Sequence, residues 1–140
     1  MKTKEHMIAV VEPTRDGEST IDLAQEVVDR GGRATVLVVM TRRTTGDSLA
    51  FAEAEDLRIP DAREIYFERL AQAYSSRFEG HEVATIVIDR PDPSRVAFDT
   101  ADKIAATSVA IPQRLANRRR WRASVARAHL PVLIAPAAAA

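Results

Sequence analysis

The densest chemistry in this chain is cationic. Between Gln113 and His129 stand Arg114, Arg118, Arg119, Arg120, Arg122 and Arg127, grouped around the one tryptophan, Trp121. Guanidinium forks bind phosphate or carboxylate bidentately, so Arg118 and Arg119, at the helix start nearest the strand ends, are candidates to hold an anion. The same run also suits a solvated helix face anchored on Trp121, which is what charge runs on helices usually are. Read as one helix over Leu115 to Ala128, it puts Trp121, Val125 and Ala128 on a shared face. Nucleic acid is a poor fit. No aromatic stacking platform accompanies the arginines, no recognised motif appears, and the rest of the chain is acid-balanced.

The acidic candidates sit at strand ends. Glu12 and Asp16 could contact a ribose, a base or a metal, or could cap the helix that follows; their place before a first turn favours capping. Asp89 and Asp92 are similar, and Asp92 before Pro93 reads as a helix cap. His6, His81 and His129 are far apart, with no His-x3-His or His-Glu pair to suggest a metal. There is no Gly-x-Ser-x-Gly elbow and no paired Ser/His/Asp pattern. The residues therefore point to binding and not to catalysis, with no metal and no required cofactor.

These residues need a frame, and apolar patterning supplies one. Met7 to Val11 is a buried-strand run ending at Glu12-Pro13-Thr14. A helix from near Glu18 carries Ile21, Leu23, Ala24, Val27 and Val28 at helical spacing and stops at Gly31-Gly32. Ala34 to Met40 is the second strand. Thr41 to Pro60 reads as loop with a short capped helix through Leu57. From Asp61, Phe67, Leu70, Ala71, Tyr74 and Phe78 mark one face of a long helix ended by Gly80. Glu82 to Ile88 is the third strand. A helix from Pro93 buries Val96, Ala97, Ala101 and Ile104. Ser108 to Ile111, the arginine helix, and Val132 to Ala135 complete the chain, with Ala137 to Ala140 as a frayed tail.

Strands alternating with helices imply an α/β fold, a single doubly wound five-stranded parallel sheet with helices on both faces. In such a Rossmann-like layer, ligands gather beyond the carboxyl ends of the strands at the switch point. Glu12, Thr14, Met40, Arg118 and Arg119 fall on that rim and form the expected nucleotide or anion site. The length of 140 residues most simply makes one domain, 1–140. The formal charge is zero, which leaves no global field to recruit nucleic acid or membrane, although after Asp102 only basic charges remain. There are no cysteines, as fits a reducing compartment. No apolar run approaches the roughly 20 residues that span a bilayer, and no apolar stretch follows a basic start as in a secretory leader. The expectation is a cytoplasmic protein.

In element order, over essentially its whole length, the chain resembles the universal stress protein family. That family opens with a strand running into Val-Asp-Gly-Ser; here the corresponding residues are Val11-Glu12-Pro13-Thr14. It closes with a helix leading into Pro-Val-Leu-Val-Val; here Ser124 to Leu130 lead into Pro131-Val132-Leu133-Ile134. The resemblance implies a stress-response module, and in nucleotide-binding members a Gly-x2-Gly-x9-Gly-Ser/Thr loop around the phosphates of ATP. This sequence has no glycine after Gly80, the closing pair falls on Arg118-Arg119, and Pro112 stands where the first loop glycine would be. Of the family's ATP site, only Glu12 (for the acidic residue that contacts adenine) and Thr14 match.

The last strand raises a separate expectation. Val132, Leu133 and Ile134 form an uncharged edge, an aggregation risk unless covered. Family members commonly pair this edge across a two-fold axis, which implies a homodimer with an isologous interface. The leading expectation is thus a non-catalytic regulatory module that acts through homodimerisation and contacts with a protein partner, its nucleotide site degenerate. The rival is a binder of ATP, another adenine nucleotide or another anion, using Arg118 and Arg119 in place of the loop, with slow ATP turnover left open.

Overall fold

A computed structural model describes residues 4–13, 18–40, 59–78, 81 and 83–136. Thr14, Asp16, the segment through Leu57, the Gly80 helix stop, Glu82 and the alanine tail lie outside the described residues. Five strands form one parallel sheet: β1 (His6–Val11), β2 (Arg33–Val39), β3 (Ala84–Ile88), β4 (Ser108–Pro112) and β5 (Val132–Ala135). Their order is β3-β2-β1-β4-β5, so the chain winds outward one way from β1 and then crosses to its other side. The switch point lies between β1 and β4.

The central strands are apolar throughout because both of their faces are covered. Successive side chains alternate between two cores. Ile8, Val10, Leu37, Val39, Val109 and Ile111 belong to one core, and Ala9, Val11, Val36 and Val38 to the other. The second core is closed by Ala24 and Val28 of α1 (Ile21–Asp29) and by Tyr74 of α2 (Ile59–Ser75), with Phe78 in the turn beyond. The first is closed by Ala97 and Ala101 of α3 (Pro93–Lys103), Leu115 of α4 (Gln113–Ala116) and Trp121 of α5 (Arg119–Arg127).

Helix ends explain most departures from the expected boundaries. α1 begins at Ile21 and not at Glu18, because Thr20 is wholly buried and its hydroxyl donates to the Val10 carbonyl at 2.7 Å. It stops at Gly31, whose φ of 88° is left-handed. The next residue, Gly32, has no room for a side chain: a Cβ there would lie 2.7 Å from Val27 Cγ1. α3 ends without a glycine. Ala105 takes the left-handed conformation (φ 54°), while the Ala105 and Ala106 amides donate to the Asp102 and Ala101 carbonyls in the Schellman pattern. This end turns Ile104 outward, so it is exposed and not part of the buried face; Ser94 is buried instead. Asp92 precedes α3 as expected, yet its carboxylate accepts from the Ser94 hydroxyl at 2.8 Å and makes no bond to a helix amide.

The arginine segment is two helices and not one. Arg118 is extended (φ −78°, ψ 144°) and separates α4 from α5. An unbroken helix would set Leu115 and Trp121 about 120° apart around its axis, at 100° per residue. The extended residue resets that angle, and both side chains enter the same core.

Candidate functional site

Glu12 follows β1 directly and is 1% exposed. A buried carboxylate is costly unless it is paired and hydrogen-bonded, and this one is paired without being bonded. Arg114 Nε stands 3.9 Å from Oε1 and an Arg118 terminal nitrogen stands 3.8 Å from Oε2. Both separations exceed hydrogen-bonding distance. Oε2 has no hydrogen-bond partner at all. The two guanidiniums keep 39% and 48% of their side-chain surface exposed, so each touches solvent on the side away from Glu12.

Backbone geometry brings these groups together. β4 lies beside β1, and Pro112 at its end is extended and starts α4. Arg114 sits in that short helix, and the extended Arg118 stands between it and α5. Between them opens a cavity of about 410 Å³ whose wall includes Glu12, Val39, Met40, Arg90, Arg114, Leu115, Arg118 and Trp121. It lies at the carboxyl ends of the strands at the switch point, where open α/β sheets take their ligands. Among the described residues, three guanidiniums to one carboxylate make it a place for an anion.

Of the residues expected at this site, Glu12, Met40 and Arg118 meet there. Thr14 lies outside the described residues. Arg119 does not join them: one helical step beyond Arg118 it points away, exposed and outside the cavity wall. Its place is taken by Arg114. Arg114 and Arg118 stand four apart, but Arg118 is extended, so the break between the helices and not helical spacing brings them to Glu12. Arg90 had no signal in the sequence; only the chain's return at Pro91 sets it on the rim. Nor does Glu12 cap α1, because its carboxylate faces the arginines and Thr20 occupies the N-cap. Among the described residues no group of three or more His, Asp or Glu could hold a metal ion, and no helix is long and apolar enough to cross a membrane.

No protein-family model and no curated protein matches the chain. Solved structures do. The universal stress protein from Archaeoglobus fulgidus in complex with dAMP is 20% identical at a TM-score of 0.61, over 96% of this chain and 98% of that one. A protein from the universal stress protein family of Burkholderia pseudomallei is 17% identical at a TM-score of 0.67, over 95% and 96%. A second structure of the Archaeoglobus fulgidus protein is 20% identical at 0.62, over 93% and 92%. At these identities what is shared is the architecture: the chain has the α/β fold of the universal stress proteins.

Proposed function

We propose that the chain is a non-catalytic regulatory module of the universal stress protein type, whose cleft at the switch point binds a small anion of the nucleotide class. The observation that carries this reading is Glu12, buried between Arg114 and Arg118 with an oxygen that nothing in the fold satisfies. Buried polar groups left without partners are rare in native structures and cluster where a protein has a use for them. The Archaeoglobus relative in complex with dAMP lends the ligand class its support. The absence of cysteine fits work in a reducing, cytoplasmic setting.

Calorimetric titration of ATP, ADP, AMP and cyclic AMP into nucleotide-stripped protein tests it, repeated with Arg114→Ala/Arg118→Ala. Saturable heat that disappears in the double variant is the expected result. No heat from any nucleotide would leave a protein-contact module.

A second reading concerns assembly and rests on β5. This strand is the sheet edge beyond β4, and its Leu133 and Ile134 are 41% and 45% exposed. Open apolar edges invite a further strand, and a second copy pairing there would make a homodimer through Val132, Leu133 and Ile134. Sedimentation at tens of micromolar would show a dimer that Leu133→Asp/Ile134→Asp converts to monomer; a wild-type monomer would end this reading.

A further inference from the structure

We propose that Glu12 is a buried counter-ion that tunes the cleft to one dianionic phosphate group, a phosphate monoester, over di- and triphosphates. This rests on the anion-binding reading of the cleft given above.

The Oε2 atom of Glu12 has no surface open to the cavity and no hydrogen-bond partner. Glu12 faces both arginines and is 1% exposed, so it acts on a ligand chiefly through them, as a positioning residue. At 3.8 and 3.9 Å it attracts both guanidiniums without engaging their N–H groups, so the forks remain available to the cavity. It also cancels one positive charge. Among the described residues, Arg90, Arg114 and Arg118 less Glu12 leave the equivalent of two positive charges around the cavity. A phosphate monoester carries about −1.5 to −2 at pH 7, which matches that surplus. The further charge of a di- or triphosphate would meet no partner and would lie close to the Glu12 carboxylate, in a partly enclosed space where repulsion is poorly screened.

The backbone supports the same limit. Polyphosphates are commonly cradled by runs of main-chain N–H groups in glycine-rich turns. Here β4 ends on Pro112, which has no N–H to offer, and no glycine follows Gly80. Recognition falls to side-chain forks, which suit a single tetrahedral group.

The test is competition calorimetry of inorganic phosphate, AMP, ADP and ATP against the wild type, Glu12→Gln and Arg90→Gln, in EDTA so that ATP keeps its full charge. The wild type is expected to bind AMP at least as tightly as ATP. Glu12→Gln should move the ATP-to-AMP affinity ratio upward by on the order of tenfold, as one removed charge nearby implies. Arg90→Gln, an exposed position that leaves Glu12 and its two arginines intact, should move the ratio the other way and keeps the test open should Glu12→Gln fold poorly. Tighter ATP binding by the wild type, with a ratio that neither variant shifts, would overturn the proposal while leaving anion binding in place. If none of the four probes binds, it is the anion-binding reading that fails, and this proposal with it. Inorganic phosphate matching AMP would show that the phosphate alone is recognised, as the fork argument requires; phosphate without measurable binding beside tight AMP would place recognition on the nucleoside and overturn it.

Discussion

The two rims of the sheet treat charged groups differently. At the amino rim most polar groups are bonded, although the buried Ser108 hydroxyl at the start of β4 has no partner. Arg30 donates to both oxygens of Glu5 at 2.7 and 2.8 Å, and His6 Nε2 and Thr35 Oγ1 share a hydrogen bond of 2.8 Å. The Thr107 hydroxyl accepts from the His6 amide at 2.9 Å and donates to the His6 carbonyl at 3.1 Å. At the carboxyl rim Glu12, more deeply buried than any of these, has two arginines near it and no hydrogen bond from either. The same fold and the same kinds of side chain thus give bonded charges at one end and unbonded ones at the other. A bonded pair holds a sheet together. An unbonded one leaves its guanidinium N–H groups for a ligand to engage.

The sharpest way to break this contrast is to strip Glu12 of its partners. Arg114→Ala/Arg118→Ala leaves a buried carboxylate alone and should lower unfolding free energy by about 2 kcal/mol in urea, less than for a fully buried pair because solvent reaches both guanidiniums. Adding Glu12→Gln should restore most of that loss, since the orphaned charge goes with it. A triple variant as unstable as the double would mean that the arginines matter for packing and not for charge.

The amino rim should answer differently. Thr107→Val removes hydrogen bonds that have no substitute, leaving the His6 amide unsatisfied, and is expected to cost about 1–2 kcal/mol. No second substitution that only changes charge should rescue it, and an Arg30→Gln rescue would erase the distinction between the rims.

A smaller effect of opposite sign is expected where α3 hands the chain to β4. Ala105→Gly relieves a left-handed residue that carries a Cβ, and should raise stability by about 1 kcal/mol. A lowered melting temperature would show that the methyl group contributes packing that outweighs the backbone term.

The smallest effect is a dependence on pH. Partial burial, with the Arg33 charge as a lesser contribution, holds the His6 imidazole below the ordinary histidine range. The unfolded chain therefore binds this proton more readily than the folded one. Stability from this residue is full above about pH 6.5 and is lost as pH falls through that value toward the folded pKa. Thermal melts between pH 7.5 and 5.5 should show the decline, and His6→Gln should flatten it while keeping a polar partner for Thr35. An unchanged slope in the variant would assign the decline to other groups.

Much of the fold was legible in the residues. Runs such as Met7 to Val11 and Ala34 to Met40 are apolar in a way only a doubly covered strand permits, and each falls within one residue of a strand in the structure. Helix ends were legible where glycine marked them, as at Gly31, and were missed where another residue took the glycine's conformation, as at Ala105. The site was legible in part. Glu12, Met40 and Arg118 could be placed on the rim because topology alone sends strand ends there. Arg119 lies outside the cavity wall, and a run of three arginines contains nothing that says which one faces inward.

Local patterning thus determined the strands, most of the helices, the winding of the sheet and the rim on which a ligand would sit, since burial and backbone hydrogen bonding act over a few residues at a time. Tertiary structure alone decided that the arginine segment breaks at Arg118, that Arg114 partners Glu12 across β1 and β4, and that Arg90 closes the rim. The break has a long-range cause: Leu115 and Trp121 must enter the same core, and no helix of uniform pitch can place both there.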